Sequence, residues 1–93
     1  MAKSLRTPPQ TPESENALLG ALLIRTDAMV DVVDSVSPEA FYSEKHRIIY
    51  RAMVALWSKN EPIDLETMRA RLSDSGQLEQ VGGLAYLGEL ASG

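Results

Sequence analysis

The chain has 93 residues, enough for one domain with a small core. With no cysteine and one histidine it supports neither a disulfide framework nor a thiolate or histidine-rich metal site. Nine basic against thirteen acidic residues give a formal charge of -4, which argues against a primary nucleic-acid binder and against attraction to anionic membranes.

Residues 1–10 carry Pro8 and Pro9, lack any apolar stretch after Lys3 and Arg6, and read as a flexible N-terminal arm rather than a secretory signal. No apolar run is long enough to span a bilayer, and a cytoplasmic setting is the expectation. Residues 11–93 read as the folded domain. Thr11-Pro12-Glu13 combines a capping hydroxyl, a proline suited to the first helical position and an acid at the positive end of the dipole. The spacing predicts a helix from Pro12 to about Ile24, with Ala17, Leu18, Ala21, Leu22 and Leu23 as its apolar stripe. Gly20 inside that stripe costs roughly 1 kcal/mol relative to alanine, which implies close packing by another helix.

Asp27 is placed to cap a second helix to about Val36, with Met29, Val32, Val33 and Val36 inward. Ser37-Pro38-Glu39 opens a short turn ending at Phe41-Tyr42. Ser43 then stands at the cap of the longest helix, which runs to about Lys59 with Ile49, Ala52, Met53 and Leu56 inward. Asn60-Glu61-Pro62 stops it. Asp64 caps a helix carrying Leu65, Met68 and Leu72, and Ser75-Gly76 ends it. One helical turn over Gln77–Val81, a break at Gly82-Gly83 and a last helix with Leu84, Leu87 and Leu90 complete the chain. No alternating apolar pattern occurs. The expected fold is all-α, a compact orthogonal bundle of about five to six short helices with no sheet.

The chemistry-bearing residues are sparse, and no catalytic residue, cofactor site or metal site is assigned. The phosphate-binding pattern G-x-x-x-x-G-K-[ST] does not occur, since Leu84 and not lysine follows Gly82-Gly83. His46 reads either as a general base or as a partly buried ring beside Phe41 and Tyr42, and its local context offers no carboxylate. Lys45, Arg47 and Arg51 form either a basic patch or a solvated charged face, with Glu44 nearby. Trp57 is a stacking platform or a core or interface residue.

Five stretches in sequence resemble the N-terminal domain of the DnaB-type replicative helicase. They are Pro8-Pro9-Gln10 with Glu13-Ser14-Glu15 and Leu19-Gly20; the run Phe41 to Tyr50; Glu61-Pro62-Ile63-Asp64-Leu65; Gly76-Gln77-Leu78; and Gly82-Gly83-Leu84-Ala85-Tyr86-Leu87. Together they reach from about Pro8 to Leu90. Ser14 departs from the alanine usual between the two acids of the first motif. The segment stops at Gly93, ahead of the helical hairpin, linker and RecA-like motor that the resemblance implies.

The resemblance implies a non-catalytic domain that pairs, forms a trimer of dimers as the collar of a hexamer, and binds the C-terminal domain of the DnaG-type primase. ATP and Mg2+ belong to the parent's motor domain. A helicase loader is a further candidate partner, and DNA is not contacted primarily here. The family's primase contacts fall on Glu13 and Tyr86. For Glu13 the other reading is helix-dipole stabilisation, and for Tyr86 it is core packing. Phe41, Tyr42, Ile49 and Leu87 are expected in the core. Without the hairpin the isolated segment should self-associate weakly, because a stable interface needs roughly 1,000 Å² or more; light scattering showing a tight hexamer would contradict this. An alternative, from the two arginines Arg69 and Arg71 on the helix after Asp64, is a small helix-turn-helix-like DNA-binding domain.

Overall fold

The computed structural model describes residues 11–92; the predicted arm over 1–10 lies outside the described residues. Five α-helices follow one another: α1 (Pro12–Ile24), α2 (Met29–Val32), α3 (Glu44–Ser58), α4 (Leu65–Asp74) and α5 (Gly83–Ser92). Single 3-10 turns at Thr26–Ala28, Pro38–Ala40 and Glu79–Val81 connect them, and no strand occurs among the described residues. The all-α expectation holds.

Helix α1 begins as its sequence dictates. The Thr11 hydroxyl accepts the Ser14 N–H at 3.1 Å, and Pro12 occupies the first helical position. Ser14 therefore sits comfortably in place of alanine. Helix α4 carries a fuller cap, in which the Asp64 carboxylate accepts the Thr67 N–H at 2.9 Å while the Thr67 hydroxyl accepts the Asp64 N–H at 3.0 Å.

Four local expectations need correction. The second helix stops at Val32 rather than near Val36, and residues 33–35 form a turn. Asp27 lies inside the preceding 3-10 turn and its side chain caps nothing. Ser43 occupies the cap position of α3 without a capping bond from its hydroxyl. Tyr42 is 80% exposed, not core. Its neighbour Phe41 has extended backbone, φ -80 and ψ 137, and successive side chains of an extended chain point to opposite sides. Phe41 therefore turns fully inward and Tyr42 outward.

The core is centred on α3, which packs on α1, on α4 and on the Pro38–Ala40 and Glu79–Val81 turns. Ile49, Tyr50 and Met53 of α3 are fully buried with Phe41, Leu19, Leu22, Met29, Met68 and Leu87. Full burial of each such side chain contributes about 1.5–3 kcal/mol. The Tyr50 hydroxyl is satisfied by donating to the Val36 carbonyl at 2.8 Å, and burial pushes its phenol up to about 12.

The most extensive helix–helix contact joins α1 to α5, the two ends of the described chain. Gly20 makes it possible. A Cβ there would fall on the Leu90 carbonyl oxygen, so only a residue without a side chain lets the α5 backbone come this close. Leu87 and Leu90 are buried on the inner face of α5, whereas Leu84, expected beside them, remains 46% exposed in the first turn.

Candidate functional site

The α1–α5 pairing leaves an open groove of about 510 Å³ along its outer side. Ala17, Ala21 and Ile24 of α1 give it an apolar wall, and all three are exposed. Glu13 and Asn16 stand near the start of α1, with Tyr86 and Glu89 across on α5. Ala17 and Ala21 were expected to face the core; they face this groove because the buried stripe of α1 is instead Glu15, Leu19, Leu22 and Leu23. Of the residues singled out in the sequence, Glu13 and Tyr86 come from opposite ends of the fold yet line the same groove.

Behind the groove lies a buried polar cluster that local sequence context did not disclose. Glu15 and His46 are 0% and 1% exposed. His46 Nδ1 lies 2.6 Å from Glu15 Oε1, and the Tyr42 N–H donates to Glu15 Oε2 at 2.5 Å. A longer bond of 3.4 Å comes from the Ser43 N–H. Burial alone would raise the Glu15 carboxyl, but the His46 bond and these two backbone donors overcome it and hold the group below its ordinary value. With three donors converging on it, Glu15 is a carboxylate and Nδ1 is a donor. The carboxylate thus fastens α1 to the segment leading into α3.

The other ring nitrogen of His46 is directed at Tyr86, which lines the groove. Nε2 lies 2.6 Å from the Tyr86 hydroxyl oxygen, and the Tyr86 O–H donates to Asn16 Oδ1 at 2.9 Å. The His46 and Tyr86 rings are nearly parallel, 15° apart with centroids separated by 5.9 Å. Lys45 Nζ sits 3.8 Å from the Tyr86 ring centroid. Gly82, with φ 105, completes the surround: a Cβ there would lie 2.7 Å from Tyr86 Cβ. Burial, then Glu89, then Glu15 all push the Tyr86 phenol up, so the hydroxyl keeps its hydrogen. His46 was expected beside Phe41 and Tyr42 without a carboxylate. It does pack edge-on to Phe41, at 6.5 Å, but Glu15 reaches it from a distant helix.

Three of the arginines are paired. Arg47 donates to the Phe41 carbonyl at 2.8 Å and to Glu44 at 2.9 Å, and Arg51 lies 3.6 Å from Glu39. Each of these two arginines thus faces an acid at the surface. Arg69 donates to Glu66 at 2.8 Å. Trp57 is half-buried against the core. Among the described residues no cluster of three or more His, Asp or Glu is placed to hold a metal, and no helix is long and apolar enough to cross a membrane. The site offers an apolar wall, acids and a held phenol, a lining that suits contact with another macromolecule.

The family model described as DnaB-like helicase N terminal domain matches residues 7–93. The chain belongs to this family. Membership makes the segment a DnaB-like helicase N-terminal domain. Curated DnaB relatives include the replicative DNA helicase DnaB of Geobacillus stearothermophilus, 44% identical over 88 residues that make up 95% of this chain and 19% of the relative. The replicative DNA helicase DnaB of Rhodothermus marinus is 44% identical over 87 residues, 94% of this chain and 9% of the relative. The chain therefore spans a fifth or less of these DnaB proteins. Among solved structures, the N-terminal domain of DnaB helicase from Mycobacterium tuberculosis superposes with a TM-score of 0.86 at 38% identity, covering 91% of this chain and 59% of that one.

Proposed function

We propose that this DnaB-type domain is the assembly and docking module of a hexameric replicative helicase. It contributes to the N-terminal collar and binds the C-terminal domain of a DnaG-type primase through the α1–α5 groove. The parent protein unwinds duplex DNA with ATP and Mg2+ at a motor domain elsewhere, its subunits assemble as a trimer of dimers, and it works in the cytoplasm. A helicase loader is a second candidate for the collar. The observation that carries the docking assignment is the meeting of Glu13 and Tyr86 on one groove. An exposed acid beside an amphipathic aromatic, with an apolar wall between helices, suits a contact that must form and release.

Calorimetric titration of the primase C-terminal domain into this chain tests the assignment. Glu13→Ala and Tyr86→Ala should each weaken binding by about 1–2 kcal/mol, roughly 5–30-fold. Variants that both bind as the parent chain does would remove the groove as the docking site. For the DNA-binding alternative, the Arg69 guanidinium is paired with Glu66 while Arg71 has no ion pair among the described residues, and absence of duplex or single-strand binding in a low-salt titration would remove it.

A further inference from the structure

The Glu15–His46 pair is buried, fully bonded and adjacent to the docking groove, yet no partner can touch it. Two functions are open to it. It can serve only as a staple between α1 and the segment before α3, through the Tyr42 and Ser43 N–H groups. It can also act outward, through His46 Nε2 on Tyr86. The surroundings of Tyr86 decide between these roles. A half-buried tyrosine on the side of a helix ordinarily swings between staggered rotamers. Here the hydroxyl is gripped from two sides, by His46 at 2.6 Å and Asn16 at 2.9 Å. Lys45 covers the ring at 3.8 Å and Gly82 leaves no gap at its base. The ring is thus anchored at tip, face and root, and its remaining edge forms part of the groove wall. Fixing an interface side chain in its bound orientation before association removes an ordering cost that binding would otherwise carry.

We propose that Glu15, His46 and Asn16 are positioning residues that hold Tyr86 in the orientation a docking partner meets. This rests on the groove being the docking site. Glu15 acts at one remove, by fixing the His46 ring through Nδ1 so that Nε2 is aimed at the phenol.

The test separates the two ends of the imidazole. An asparagine amide reaches the position of Nδ1, and a glutamine amide reaches that of Nε2. His46→Asn therefore keeps the bond to Glu15 and loses that to Tyr86, and His46→Gln does the opposite. Two readouts are taken. The first needs no partner: the 13C resonance of the Tyr86 ring carbon bearing the hydroxyl, at neutral pH, assigned among the three tyrosines with Tyr86→Phe. The second is affinity for the primase C-terminal domain. His46→Asn should shift the resonance and weaken binding roughly fivefold, the worth of one hydrogen bond. His46→Gln should preserve both, and His46→Asn should add nothing in a Tyr86→Phe background. A resonance unmoved in His46→Asn overturns the proposal, because a pure staple retains its bond there. Should His46→Asn fail to fold, the 15N resonance of His46 Nε2 is compared between the natural sequence and Tyr86→Phe; it should move on loss of the hydroxyl, and an unmoved resonance overturns the proposal. If the resonance moves while neither His46→Asn nor Tyr86→Ala alters affinity, the positioning stands and the docking assignment falls.

Discussion

Replacing Glu15 with alanine should destabilise the domain by about 3–5 kcal/mol, because it strips the acceptor from a buried imidazole and two backbone donors at once. Glu13, two residues earlier, is exposed. Its truncation should cost no more than the helix-dipole contribution of about 0.3–1 kcal/mol. Urea unfolding of the two variants measures the contrast, and equal midpoints would mean that the buried pair contributes no stability. The same carboxylate predicts a pH dependence. Its folded-state value is held below the ordinary 4.5, so its contribution is fully present above that pH. It is lost as the pH falls through the lower, folded-state value. The urea midpoint of the natural sequence should therefore fall over this acid range by more than that of Glu15→Gln.

The second large effect concerns two glycines with opposite outcomes. Gly20→Ala drives a methyl group into the Leu90 backbone, where no flexible side chain can yield. Even after alanine's helix advantage of about 1 kcal/mol, the displaced α5 should leave the domain about 1–3 kcal/mol less stable. Since Tyr86 rides on α5, partner affinity should fall as well. At Gly88, also in α5, an added Cβ meets nothing within 4 Å, and Gly88→Ala should instead stabilise the domain by about 0.5–1 kcal/mol. Thermal melts of both variants check this. A neutral Gly20→Ala would show that α1 and α5 approach less closely than described.

The helices were legible because their signals are local. Thr11-Pro12-Glu13 and Asp64 with Thr67 announce helix starts by chemistry that needs no tertiary partner. Gly20 likewise announced a close approach. The end of the second helix is not legible because Val30 to Asp34 hold only valines and aspartates, which give no stop signal, and tertiary packing decides where the turn falls. The buried cluster was hidden because its members lie far apart in sequence, so that no spacing rule joins Glu15, His46 and Tyr86. One clue was present. Glu15 precedes Leu19 by four residues and Leu22 by seven, which puts a carboxylate on the core face of α1. Counting alanines as the stripe concealed it. Glu13 and Tyr86 entered through family resemblance alone, and the groove that unites them became visible only once α1 met α5.

A phenol has a single hydrogen, and this gives the string from Glu15 to Asn16 a direction. Tyr86 gives that hydrogen to Asn16 Oδ1, which engages the oxygen of the amide and leaves its NH2 as the end to meet a partner. The order of donors and acceptors inside the fold is thereby carried out to an exposed amide on the groove.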